Sequence, residues 1–147
     1  MRRKRQTIRH EFVEFVPDQL VDGTLYVSLT YATAVHQCFC GCGRRVVTPL
    51  SPTDWELSFD GKSVSLYPSI GSWALPCRSH YWITENEVEW AGTWSREQID
   101  AERKADRLAK DRYFRRRQMS KAAALPEPDS KTGSWERLQA WIARALG

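Results

Sequence analysis

Trp55-Glu-Leu-Ser-Phe-Asp-Gly-Lys-Ser-Val-Ser-Leu66 is the stretch that decides the fold class. Trp55, Leu57 and Phe59 alternate with polar residues up to Asp60-Gly61, and Val64 and Leu66 alternate after it. A period of two puts one set of side chains on one face of a strand. Asp-Gly suits a type I′ turn, so the stretch predicts a β-hairpin. The signature recurs outward in both directions. Residues 81–84 and 88–90 flank Glu85-Asn86 as a second hairpin. Leu25, Val27 and Leu29 alternate after Asp22-Gly23, and Val46-Val47 opens a strand ended by Pro49 and Pro52. Residues 11–16 are β-rich and stop at Pro17-Asp18, while residues 31–36 read as a short helical turn. Together these signals predict a compact, mostly antiparallel β module over residues 10–92, preceded by a basic tip at 1–9.

The pattern changes at Thr93. Ser95 with Gln98 three residues on is a capping box, so a long charged helix is expected within 93–122, starting at Arg96. Its apolar stripe is thin, with Ile99, Leu108 and Phe114 as the main large members, which predicts a solvated helix. Residues 123–133 read as a linker. Trp135, Leu138, Trp141, Ile142 and Leu146 then recur at helical spacing, predicting a short amphipathic helix over 134–147. The expected class is α+β, a β module followed by two C-terminal helices.

Charge is divided along the chain. The net is +4, but residues 6–92 carry five Lys/Arg against ten Asp/Glu, and residues 93–147 carry thirteen against eight. An acidic central module argues against nucleic acid as its ligand. No apolar run approaches the roughly 18 residues needed to cross a bilayer. Met1-Arg-Arg-Lys-Arg5 is followed by no apolar segment of the kind a secretory signal needs, so a cytoplasmic protein without a membrane partner is expected.

The chemistry concentrates in His36-Gln-Cys-Phe-Cys-Gly-Cys-Gly43 and Cys77-Arg-Ser-His80. Zinc takes four N/S ligands in a tetrahedron, usually from two separated short clusters. The candidates are Cys38, Cys40, Cys42, Cys77 and His80, with Cys40, Cys42, Cys77 and His80 the preferred four. His36 is a supporting or alternative ligand. Buried free thiols without a metal are the plainer alternative. A closed set of four would make Zn2+ structural, and an all-cysteine set would free His80 for work beside the ion. Cysteine in place of one histidine departs from a Rieske iron–sulfur centre, which needs C-x-H beside C-x-x-H, so that redox reading ranks lower. Ser51, Ser69, Ser72 and Ser79 lie near Pro or Gly, but there is no G-x-S-x-G elbow. Asp54 and Ser79 are candidates to complete a site with His80. His10-Glu11 lacks the second histidine of H-E-x-x-H and reads as strand.

With those residues set out, the chain resembles the bacterial domain-of-unknown-function family 6527. The likeness rests on His10-Glu-Phe-Val-Glu-Phe-Val-Pro17, Tyr31-Ala-Thr-Ala-Val-His36, Cys40-Gly-Cys-Gly43, Val47-Thr-Pro-Leu-Ser-Pro52, Trp55, Asp60-Gly61 and Cys77-Arg-Ser-His-Tyr-Trp82. It covers roughly residues 8–92. The resemblance implies a metal-binding protein that works with bacterial ubiquitin-like proteins and their activating and conjugating enzymes. It implies a role in that modification, as a peptidase that processes or removes the modifier. It assigns no catalytic residue. The alternative is a zinc-stapled adaptor or ligase-like binding module without catalysis.

Overall fold

The computed structural model describes residues 5–124. The linker from residue 125 and the amphipathic helix expected at 134–147 lie outside the described residues.

Among the described residues, nine strands form two sheets. The first has the order β1 (Gln6–Thr7), β9 (Glu87–Trp90), β8 (His80–Thr84), β7 (Val64–Gly71) and β6 (Glu56–Phe59). The second has the order β2 (Arg9–Phe12), β3 (Thr24–Ser28), β4 (Thr33–Gln37) and β5 (Arg45–Pro49). All pairings between strands are antiparallel except β2 with β3, which run parallel. The core draws on both sheets, joining Leu25, Val27, Ala34 and Val46 to Val64, Leu66, Ile70, Tyr81, Ile83 and Val88. Val46 and Thr48 point inward from β5 and Val47 outward, the alternation expected of a strand with one covered face.

Both expected hairpins are present, but their turns differ. β6 and β7 are joined by four residues, with the Asp60 amide donating to the Ser63 carbonyl. The Ser63 and Lys62 amides both donate to the Asp60 carboxylate, and these bonds hold its carboxyl down at about 2. The two-residue type I′ geometry sits instead at Glu85-Asn86, where φ is +49° and +62°. The Asn86 carboxamide oxygen accepts from the Val64 amide at 3.0 Å and lies 3.0 Å from His10 Nδ1. One turn residue thereby ties together three segments of chain.

The helical turn expected at residues 31–36 is a correction: β4 occupies Thr33–Gln37. Its residues pair with β3 on one side and β5 on the other, and ladder bonding on both edges overrides a weak local preference. The strand expected at 11–16 is shifted to Arg9–Phe12, in ladder with β3.

The single helix among the described residues, α1, runs Arg96–Ala124. Its capping box forms as the sequence requires: the Gln98 amide donates to Ser95 Oγ, and Gln98 Oε1 accepts from the Ser95 amide. Ile99 is its only buried residue, while Leu108 and Phe114 are half exposed.

Candidate active site and metal centre

Two groups of reactive side chains flank β8. Strand alternation separates them, because successive residues point to opposite sides. Ser79, just before β8, faces the thiols. His80, its first residue, faces β7.

The thiol group is assembled by two loops. In the β4–β5 connection the Cys38 amide donates to the Arg44 carbonyl and the Gly41 amide to the Cys38 carbonyl. Gly41 and Gly43 have φ of +84° and +70°, a conformation that residues with a Cβ seldom adopt. These bends point Cys38, Cys40 and Cys42 inward. In the β7–β8 connection, bonds from the Leu75 amide to the Ser72 carbonyl and from the Arg78 amide to the Leu75 carbonyl present Cys77. The four Sγ atoms all lie within 4.8 Å of one another, with Cys38–Cys40 at 3.3 Å, Cys42–Cys77 at 3.7 Å and Cys38–Cys77 at 3.9 Å. Metal–sulfur bonds of about 2.3 Å in a tetrahedron require edges of roughly 3.8 Å. None of the four is in a disulfide. The donor set and its spacing fit one metal ion.

The thiols are tuned unequally. Burial raises Cys38, and burial with neighbouring thiols pushes Cys40 up to about 12. Burial also works against ionising Cys77, but the Ser79 hydroxyl and amide outweigh it and bring that thiol to about 7. Four thiols this close resist ionising together; a dication would draw all of them into the thiolate form.

The grouping differs from the preferred set of Cys40, Cys42, Cys77 and His80, since Cys38 joins the thiols and His80 stands apart. His36 also lies outside the group. Its ring is fully buried, stacked on Phe39 at 4.4 Å, with Nε2 2.7 Å from the Tyr81 hydroxyl. Burial lowers His36 to about 3, so it is neutral at physiological pH and packs beneath the thiol loop.

His80 Nε2 lies 2.8 Å from Ser69 Oγ. Ser69 reaches it through an irregularity in β7. Leu66 pairs with Ile83 and Ile70 with Tyr81, so Tyr67, Pro68 and Ser69 stand opposite Trp82 alone. A bulge of this kind re-aims side chains, and bulges concentrate beside active sites. Ser69 is half-buried; His80 is 5 % exposed, and burial lowers its pKa, which favours the neutral, proton-accepting ring. Three indoles surround the imidazole: Trp94 at 4.6 Å, Trp73 at 4.9 Å and Trp82 at 5.6 Å. Gly71, opposite His80 in the ladder, makes room for one of them, since a Cβ there would run into the Trp73 indole. A cleft of about 740 Å³, lined by Leu50, Trp55, Leu57, Tyr67 and Pro68 among others, leads up to the residue before Ser69.

The four candidate serines have four different surroundings. Ser51 Oγ donates to the Asp54 carboxylate at 2.6 Å. Ser79 Oγ lies 3.0 Å from Cys38 Sγ and 3.6 Å from Cys77 Sγ. Ser72 Oγ is buried without a partner among the described residues. Ser69 alone meets a histidine. The expected grouping of Asp54 and Ser79 with His80 is therefore corrected: one belongs to a turn and the other to the thiols. The sequence signal for Ser69 was weak, because it depends on a strand irregularity with no residue signature of its own.

A family model described as bacterial ubiquitination-like system serine protease (BubE) matches residues 12–91, more than half of the chain. No curated protein and no solved structure matches it.

Proposed function

The chain belongs to the bacterial ubiquitination-like system serine protease family, and from that membership we propose that it is a peptidase with Ser69 as nucleophile and His80 as general base. The observation that carries this reading is the 2.8 Å contact between Ser69 Oγ and His80 Nε2. A nucleophile and base within hydrogen-bond reach are what acyl transfer requires.

Ser69 Oγ–H donates to Nε2, and Oγ adds to the scissile carbonyl carbon as the proton passes to His80. The imidazolium then gives that proton to the departing amine nitrogen as the C–N bond breaks, leaving an acyl group on Ser69. His80 next takes a proton from water as the water oxygen attacks the ester carbon, then returns that proton to Ser69 Oγ as the ester C–O bond breaks and the new carboxylic acid leaves. The substrate is the peptide or isopeptide bond that follows the C-terminus of the ubiquitin-like modifier. The cleft beside Tyr67–Pro68 is placed to receive one side of it. Partners are the modifier itself or its activating and conjugating enzymes, in the cytoplasm, where free thiols persist.

Cys38, Cys40, Cys42 and Cys77 would hold a Zn2+ ion, and with four protein ligands that ion would be structural and would serve to fix the two loops. That loop fixing reaches the catalytic pair through Ser79 and His80, neighbours in the chain.

The test is cleavage of a modifier fusion by wild type, Ser69→Ala and His80→Ala. Both variants should lose about 10³-fold or more in turnover and remain folded, with His80→Ala melting lower because it empties a buried ring site. Cleavage by Ser69→Ala at the wild-type rate would leave the zinc-stapled adaptor, with a contaminating peptidase, as the better account.

A further inference from the structure

We propose that Trp94, backed by Trp73, does for His80 what a carboxylate does in a three-membered site: it fixes the ring and stabilises its protonated form. Trp94 is thus a positioning residue of the active site, supplied from outside the segment that the family model matches. The inference rests on the Ser69–His80 reading.

Three observations carry it. First, His80 Nδ1 is buried and has no hydrogen-bond partner among the described residues. When Nε2 accepts from Ser69, Nδ1 bears the hydrogen, and a buried N–H without an acceptor is costly. Second, Trp94 meets the imidazole at 4.6 Å with the planes at 82°, the edge-to-face arrangement in which a ring N–H is able to point at an indole face. Trp73 stacks on Trp94 at 5.8 Å and 24°, and itself lies 4.9 Å from His80. Third, the imidazolium formed during the reaction lies within cation–π range of three indoles, with His80 itself 5 % exposed. A carboxylate would supply the same two services by charge.

Local structure holds Trp94 in place. Ser95, the next residue, caps α1 through its reciprocal bonds with Gln98. The Ile99 amide donates to the Ser95 carbonyl, and Ile99 is buried. The start of the helix therefore anchors the indole that closes over His80.

The experiment measures labelling of the full-length, metal-loaded protein by a fluorophosphonate. In that reaction Ser69 Oγ bonds to phosphorus, the P–F bond breaks, fluoride leaves and His80 takes the hydroxyl proton. Mass spectrometry locates the adduct. Trp94→Leu fills volume without a π face; Trp94→Phe restores one. The expected result is that Trp94→Leu lowers the maximal labelling rate about tenfold or more with half-saturation unchanged, while Trp94→Phe stays within about threefold of wild type. Equal rates for Leu, Phe and wild type would overturn the inference. So would a fall in Leu and Phe alike, which would mean a steric role only. A folded wild type that takes no label at Ser69 would instead overturn the serine–histidine reading beneath it.

Discussion

The thiol cluster and the Ser69–His80 pair sit on opposite sides of one strand end, yet they are built in opposite ways. The cluster is made by composition: three cysteines in five residues, with glycines between them, converge wherever their loop is folded. The serine–histidine pair is made by registry: an ordinary serine meets the histidine because extra residues in β7 turn it toward β8. The first kind of site tolerates backbone adjustment, since an ion pulls its ligands together. The second tolerates little, since nothing but packing sets the 2.8 Å contact.

The sharpest way to break the comparison is to exchange the effects of the two sites. Ser69→Ala should abolish turnover, by about 10³-fold or more, and cost only about 1 kcal/mol of stability, because it leaves His80 Nε2 unpaired. Parallel peptidase assays and thermal melts check both halves. Cys40→Ala should do the reverse first: it should lower stability by about 3 kcal/mol or more and make the protein insensitive to further loss on chelation. Melting with and without a chelator reads this directly, and wild type, unlike the variant, should be colourless with one zinc per chain.

Smaller effects sharpen the account at the boundary between the sites. Gly71→Ala drives a methyl into the Trp73 indole, so overpacking should cost about 1–3 kcal/mol. It should also lower kcat about tenfold by shifting the wall of His80, with metal content unchanged. Metal analysis beside kinetics separates those outcomes. The pH profile gives the mildest test. His80 must be neutral to accept the serine proton, and burial lowers its pKa from the ordinary 6.5. Protonation therefore sets in only at lower pH, and the acid limb of kcat/KM should have its midpoint below 6.5. A midpoint above that value would mean that the indole faces outweigh burial already in the free protein.

How much of this was legible in the sequence follows the same division. The Asp60-Gly61 and Glu85-Asn86 hairpins and the Ser95 cap rest on local chemistry and appear where the residues place them. The cysteine cluster was readable because thiols in close spacing are rarely packing residues. Its membership was not, because spacing offers Cys38 and His80 alike as the fourth ligand until strand alternation turns His80 away from the thiols. The ladder that makes β4 a strand and the irregularity that selects Ser69 both arise from contacts distant in sequence. The turn type at Asp60 was obscured for a simpler reason: its carboxylate binds two amides and favours a longer loop.

The most direct test of the proposed division of labour is turnover of a modifier fusion by wild-type protein loaded with cadmium in place of zinc, beside zinc-loaded Ser69→Ala. The expected result is a fully active cadmium protein and an inactive serine variant, because four thiolates hold either ion while Ser69 performs the chemistry. An inactive cadmium protein beside an active serine variant would contradict it and return the reaction to the metal.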